Sequence, residues 1–288
     1  MRIAVTGAGG FTGRHFADAA SAAGHEVLAV RTDLREGEPL AKELSALAPD
    51  LVVHLAAISF VGAADARAFY DVNLFGTLNL IDAAKRCGTV RRLLVASSAN
   101  LYGNNPASPL AETAMPAPVN HYATSKLAME CMARSAAEGL PLVLTRPFNY
   151  TGPGQGVNFV VPKLVAHFQS RAPRVLLGNM HVEREYNDVR MVCKAYLELL
   201  QESVPPATYN VCTGVTYTLA QLIGKLSDLT GHRLEAQVDP ALVRRAEVHR
   251  LCGDPSLLRA TAGALPAFSI EQTLEWMLST PQAAGTTA

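Results

Sequence analysis

A tyrosine and a lysine lie four residues apart in Tyr122-Ala-Thr-Ser-Lys126, within a segment of helical pattern, so both share one helix face and can reach a common ligand. A free phenol has a pKa of ~10, and a nearby ammonium favours the phenolate, which would bring Tyr122 toward proton exchange near neutral pH. Upstream, an apolar strand pattern ends in Leu93-Leu-Val-Ala-Ser-Ser-Ala-Asn-Leu-Tyr-Gly103 and presents hydroxyls at the carboxyl edge of the strand. That edge is where ligands bind in open α/β sheets. Ser98 is the hydroxyl expected to hydrogen-bond a carbonyl oxygen while Tyr122 gives it a proton. Without Tyr122 and Lys126, Ser97 and Ser98 read as plain turn hydroxyls capping a strand end. The chemistry is half of a carbonyl reduction, and it needs a hydride donor bound alongside.

The start of the chain points to that donor. A strand pattern over residues 2–5 runs into Gly7-Ala-Gly-Gly-Phe-Thr-Gly13, with glycines at positions 7, 10 and 13 ahead of an alanine-rich amphipathic helix. A tight turn after the strand needs Gly7, close approach of backbone to a pyrophosphate needs Gly10, and close packing of helix on strand needs Gly13. The helix N-terminus offers unpaired N–H groups to the anion. Phe11 and Thr12 belong to the same loop and are expected at the cofactor. The second strand ends Ala29-Val-Arg-Thr-Asp-Leu-Arg35. A carboxylate at a strand tip holds the ribose diol of NAD(H), whereas an arginine suits the 2′-phosphate of NADP(H). Arg31 and Arg35 favour NADP(H), and Asp33 leaves NAD(H) open; either arginine also reads as an ordinary solvated surface residue. Lys126 would hold the nicotinamide ribose.

The scaffold follows from periodicity. Short apolar runs with β-branched residues alternate with longer segments of helical period, the pattern of βαβ units, so the fold class is α/β with a doubly wound parallel sheet. Strands are expected at 2–5, 26–30, 50–55, 91–97 and 140–146, and helices at 13–23, 72–87 and 121–138. A cofactor-binding part is expected over 1–150. After Pro147 the alternation weakens and Gly and Pro become frequent, as in Tyr150-Thr-Gly-Pro-Gly-Gln-Gly156, which marks a smaller mixed part covering the substrate over 151–280. Helical patterns at 190–200 and 219–229 sit inside it, and a stretch near 186–215 is expected to return to the main sheet. Residues 281–288 read as a frayed tail.

Composition narrows the partners. With 288 residues, 49% hydrophobic and 17% charged, the chain can bury a sizeable core. A formal charge of +0 provides no long-range field for nucleic acid or an anionic membrane, so any phosphate must be met by local groups. Five cysteines without ligand spacing argue against a disulfide framework or a metal site, and are expected to be reduced and mostly buried. The first residues carry no leader pattern and no run of ~18 apolar residues occurs, so a cytoplasmic location is expected.

These pieces together resemble the extended short-chain dehydrogenase/reductase family over nearly the whole chain. The matching segments are residues 6–13, His54-Leu-Ala-Ala57, Asn73, residues 97–103, Tyr122 with Lys126, and Arg146-Pro-Phe-Asn149. The resemblance implies a Rossmann-type domain with a smaller C-terminal substrate domain, nucleotide sugars as substrates and a homodimer. It adds Leu34, Leu55, Ala56, Ala57, Tyr122 and Pro147 to the cofactor contacts. Later segments, Arg146 to Gln155, Leu177-Gly-Asn179, Arg184 to Val189, Tyr209 to Gly214 and Val238 to Glu247, are most similar to reductases of GDP-4-keto-6-deoxy-mannose. By that similarity Asn149, Arg184 and Arg244 would hold the diphosphate, Glu247 the nucleoside ribose, and Lys163 and Asn179 would line the nucleotide pocket. Arginine suits a diphosphate because its planar fork donates two parallel hydrogen bonds. Glu185 and Tyr186 depart from the usual Arg-Asp-Phe-x-Asp pattern. The sugar is expected between Ser59, Phe60 and Ser98.

The reaction type follows from what stands beside the serine. Sugar dehydratases of this family carry acidic groups just after the catalytic hydroxyl, because expelling water needs an added acid and base. Here those positions are Ala99 and Asn100, and the cysteine that epimerase-reductases carry next to the serine is also replaced by Ala99. Simple 4-keto reduction needs only hydride, Tyr122 and Ser98. A 4-epimerase with tightly bound NAD uses the same Ser, Tyr and Lys and remains the alternative; a non-catalytic NADP-binding sensor is the alternative of another class.

Overall fold

The structure is a computed structural model that describes residues 1–59, 65–243 and 248–280; the 281–288 tail lies outside the described residues. The first half runs β1 (Arg2–Thr6), α1 (Phe11–Ala22), β2 (Glu26–Val30), α2 (Gly37–Leu47), β3 (Leu51–His54), α3 (Ala66–Tyr70), α4 (Thr77–Cys87) and β4 (Arg92–Ala96). Then come α5 (His121–Ala136), β5 (Leu142–Pro147), β6 (Tyr150–Thr151), α6 (Val160–Gln169), β7 (Arg174–Leu177), β8 (Glu183–Glu185) and β9 (Asn187–Asp188). The chain closes with α7 (Val189–Leu199), β10 (Thr208–Val211), β11 (Thr216–Thr218), α8 (Leu219–Thr230), β12 (Glu235–Val238), β13 (Arg250–Leu251), α9 (Ser256–Ala262) and α10 (Ile270–Ser279).

Six strands form the main sheet in the order β10-β5-β4-β3-β1-β2, all parallel. Their side chains alternate between two apolar layers. Ile3, Val5, Leu51, Val53 and Val143 face α1 and α7. Ala4, Val52, Leu93, Val95 and Leu144 face α2, α4 and α5. A parallel sheet covered on both faces is the outcome expected when the strands read as near-continuous apolar runs; the edge strand β2 is only partly buried. The strand order reverses between β1 and β3, which opens a crevice at the carboxyl ends of the strands, the usual ligand position in such sheets.

The five expected strands all form, with ends shifted by no more than two residues. The helix expected at 72–87 is interrupted: α3 leads into a π-helical turn at Asp71–Gly76, and regular α-helix resumes only at Thr77. Wide turns of this kind recur at functional sites. The stretch from β9 through β10 returns to the main sheet, where α7 packs on α1 and β10 pairs with β5 as the sixth strand. A third apolar cluster joins α6, α8 and α10 through Leu164, Phe168, Leu222, Leu226, Leu274 and Met277. Small sheets β11-β8-β13, β12-β7 and β6-β9 edge the region after Pro147. Among the described residues no helix is long and apolar enough to cross a membrane, and the five cysteines are free thiols, three of them buried.

Candidate active site

Helix α5 starts where the Asn120 side chain accepts a hydrogen bond from the Ala123 N–H at 2.9 Å, satisfying an orphan donor of the first turn. This start fixes Tyr122 and Lys126 one turn apart and nearly buried, at 8% and 3% exposure. Lys126 Nζ donates to the carbonyl of Ala96, the last residue of β4, at 2.8 Å. Burial pushes the Lys126 ammonium down to about 8, opposed by the Glu130 carboxylate one turn on. Glu130 is itself clamped by Arg146 of β5, through Nε to Oε1 at 2.9 Å and Nη2 to Oε2 at 2.7 Å, with Arg134 on its outer side at 3.0 Å.

Tyr122 differs from the sequence expectation. Burial raises its phenol above the ordinary value, and the Ser98 hydroxyl is the one group that opposes this. Lys126 does not draw it toward phenolate here, because the ammonium is turned to the Ala96 carbonyl. The phenol is therefore a neutral O–H near pH 7, the form a proton donor requires.

A chain of buried hydrogen bonds ties this site to the sheet. Asn73, in the π-helical turn and fully buried, accepts from the Ile58 N–H at 2.9 Å and donates to the Ile58 carbonyl and to Ser125 Oγ, both at 3.1 Å. Ser125 in turn donates to the Tyr122 carbonyl at 2.8 Å. The extra residue of the π turn lets Asn73 reach both the loop after β3 and the catalytic helix. His54 continues the chain, with Nδ1 2.6 Å from Thr6 Oγ1 and Nε2 2.9 Å from Thr77 Oγ1. The Thr77 hydroxyl already donates to the Asn73 carbonyl, so His54 Nε2 carries the proton. Burial holds the ring neutral, pushed down to about 3.

The glycine loop has the geometry the spacing requires. Gly7 has φ +70°, and a Cβ there would lie 2.7 Å from the Ala56 backbone nitrogen; at Gly13 it would lie 2.1 Å from the Gly7 carbonyl oxygen. No side chain fits at either position. Gly10 caps α1, whose first turn holds no acidic residue, so its free N–H groups and positive dipole end face the crevice uncompensated. This donor set fits a pyrophosphate. The helix start is stitched to the Tyr150–Gly156 loop by Thr12 Oγ1 to Tyr150 Oη at 2.8 Å and His15 Nε2 to the Pro153 carbonyl at 2.9 Å.

All this converges on one cleft of about 290 Å³. It brings together Gly7, Gly10, Phe11, Thr12, Gly13, Leu55, Ala57, Ser59, Ser98, Tyr122, Lys126, Pro147 and Asn149 from the residues expected of the site. Ala56 stays beneath the lining, where its N–H donates to Thr6 Oγ1. Arg31, Asp33 and Leu34 lie beyond the lining at the tip of β2. Asp33 pairs with Arg35 through both carboxylate oxygens, and Leu34 is buried against Gly76. The backbone N–H groups of Arg31 and Thr32 both donate to Glu43 of α2 at 2.9 Å.

Three expected substrate residues are placed elsewhere. Lys163 Nζ donates to the Leu176 carbonyl at 2.6 Å, and Arg184 is buried with its guanidinium on the carbonyls of Glu183, Val248 and His249. Asn179 is not part of the cleft lining. Phe60, Arg244 and Glu247 lie outside the described residues. The cleft also includes Ser97, Asn100, Phe148, Tyr150, Gln155 and Phe159, which sequence reasoning did not assign. The Gly/Pro-rich run at 150–156 was the available signal for Tyr150 and Gln155.

Residues 3–212 match the family model described as the NAD dependent epimerase/dehydratase family. The chain is 38% identical to the GDP-6-deoxy-D-mannose reductase of Pseudomonas aeruginosa, over 97% of this chain and 96% of that one. It is 32% identical to the GDP-6-deoxy-D-talose 4-dehydrogenase of Aggregatibacter actinomycetemcomitans, over 91% and 92%. The solved structure of RMD from Pseudomonas aeruginosa complexed with NADPH superposes with a TM-score of 0.86 at 36% identity, covering 96% of this chain and 97% of that one. A six-stranded Rossmann-type sheet, a glycine loop opening α1, and Tyr122 and Lys126 on α5 thus coincide with a match over most of the length, and the chain belongs to the NAD dependent epimerase/dehydratase family.

Proposed function

We propose that this protein reduces the C4 keto group of a nucleotide 4-keto-6-deoxyhexose, with GDP-4-keto-6-deoxy-D-mannose as the first substrate and NADP(H) as the favoured cofactor, NAD(H) being second. The observation that carries this reading is the meeting of Ser98, Tyr122 and Lys126 with the glycine loop in a single cleft. The cofactor, when bound, supplies a hydride to the carbonyl carbon. Gly7, Gly10, Phe11, Thr12 and Gly13 would hold its pyrophosphate, Lys126 its nicotinamide ribose, and Arg31 its 2′-phosphate. Ser98 orients the carbonyl oxygen, and the neutral Tyr122 phenol gives that oxygen its proton. With Ala99 and Asn100 after Ser98, no carboxylate stands ready to expel water, so the chemistry ends at reduction.

The names of the two curated relatives support GDP-6-deoxyhexoses as the substrate class, and the NADPH bound to RMD supports the cofactor. Residues 1–150, with the return segment near 186–215, form the cofactor part, and 151–280 the part that covers the nucleotide sugar, with Ser59, Phe60, Asn149, Arg244 and Glu247 toward the substrate. The working form is a cytoplasmic homodimer, as the family resemblance implies.

The test is to mix purified protein with GDP-4-keto-6-deoxy-D-mannose and NADPH or NADH, follow nicotinamide absorbance, and identify the product by NMR. Stoichiometric oxidation, faster with NADPH, is the expected result. No net oxidation here, with redox-neutral interconversion at C4 when a 4-hydroxy nucleotide sugar is supplied, would instead identify the 4-epimerase, and bound NADPH with no turnover of either kind of sugar would identify the non-catalytic sensor.

A further inference from the structure

Ser98 is the N-cap of the short 3₁₀ turn Ala99–Tyr102, and its Oγ accepts from the backbone N–H of Asn100 at 3.2 Å. The Asn100 side chain folds back on the same atom, with Nδ2 donating to Ser98 Oγ at 3.1 Å. A serine hydroxyl has two acceptor lone pairs and one donor hydrogen. Both lone pairs are therefore filled by Asn100, and the only capacity left to Ser98 is donation. Ser98 is nearly buried and lines the cleft. Asn100 itself lines the cleft beside Ser98 and Tyr122.

We propose that Asn100 is a positioning residue that makes Ser98 an obligate hydrogen-bond donor to the substrate carbonyl oxygen. The inference rests on the Ser98–Tyr122–Lys126 reading above and adds a polarity to it. Negative charge develops on the carbonyl oxygen as the bond to hydrogen forms at carbon, and a preorganised donor is stronger there than one that must rotate into place. An acceptor in place of the Asn100 amide would turn the Ser98 hydrogen away from the substrate. The lowering effect of Ser98 on the Tyr122 phenol agrees with a hydroxyl that donates into the cleft, because donation stabilises the phenolate form.

The test is a double-mutant cycle at saturating NADPH, with cofactor affinity followed separately by fluorescence titration. Asn100→Asp, which places an acceptor against Ser98 Oγ, is expected to lower kcat by about 100-fold, within the range for losing one oxyanion donor. Asn100→Ala removes one donor and adds no charge; it is expected to lower kcat by about tenfold. Both should leave NADPH affinity and the melting temperature unchanged, and both should cost little further in the Ser98→Ala background, because their effect passes through Ser98. Equal fold losses in the wild-type and Ser98→Ala backgrounds would overturn the proposal and leave a general structural or charge effect. Unchanged kcat in Asn100→Asp would overturn it too. If Ser98→Ala itself keeps full activity, the reading of the catalytic site fails, an outcome separate from any result at Asn100.

Discussion

Tyr122→Phe is expected to lower turnover by ~10²–10⁴-fold, the range for removing a positioned general acid, while leaving NADPH affinity intact. The substitution deletes one oxygen from a nearly buried side chain that packs against Phe69, with ring centroids 6.2 Å apart, so the helix and the cleft persist. The phenol is the proton source because burial keeps it neutral, and Ser98 is the hydroxyl beside it. Steady-state rates with a 4-keto nucleotide sugar, paired with a cofactor titration, separate the two effects. Near-normal turnover in the variant would remove Tyr122 as the proton donor.

The second large effect concerns the support beneath Lys126. Arg146→Met is expected to destabilise the protein by about 3–5 kcal/mol, because it removes the buried ion-pair partner of the fully buried Glu130 carboxylate and leaves the half-exposed Arg134 as its remaining salt bridge among the described residues. Burial pushes the Glu130 carboxyl up, but its hydrogen bonds and charge pairing with Arg146 outweigh this and hold it below the ordinary carboxylate range. The stabilisation from this group is thus present at neutral pH and lost as the pH falls through its folded-state value. Arg146 also donates to Tyr102 Oη at 2.9 Å and to the Glu112 carbonyl at 3.0 Å, so the change loosens the loop after β4 as well. The double variant Glu130→Leu with Arg146→Met removes both charges and is expected to recover much of the loss. Urea unfolding midpoints decide the matter: a single variant no less stable than the double would show that the pair contributes little.

The legible part of the molecule was the part with a period. Strands β1 to β5 declare themselves as short apolar runs, most of them buried on both faces, and Gly7, Gly10 and Gly13 because strand, glycines and helix fall in sequence. Tyr122 and Lys126 were legible because four residues is one helical turn. The π-helical turn at Asp71–Gly76 was not, since one added residue leaves the apolar pattern of 72–87 almost unchanged. Its cause is the reach of Asn73 to Ile58 and Ser125, a contact across 15 and 52 residues of chain. The small sheets after Pro147 were also hidden, because strands of two to four residues carry no readable alternation. Arg184, expected at the diphosphate by resemblance, donates to the backbone carbonyls of Glu183, Val248 and His249. Asn100 shows the converse. Read from sequence it was only the absence of an acid, whereas in the fold it holds the orientation of the Ser98 hydroxyl.

The most direct measurement follows the hydride itself. The protein is incubated with GDP-4-keto-6-deoxy-D-mannose and NADPH carrying deuterium at both C4 positions of the nicotinamide, and the product sugar is examined by NMR and mass spectrometry. One deuterium per product molecule, located at C4 of the 6-deoxyhexose, is the expected result. A product with hydrogen at C4, or an unreduced keto sugar beside unconsumed cofactor, would contradict the assignment of this cleft as a 4-ketoreductase site.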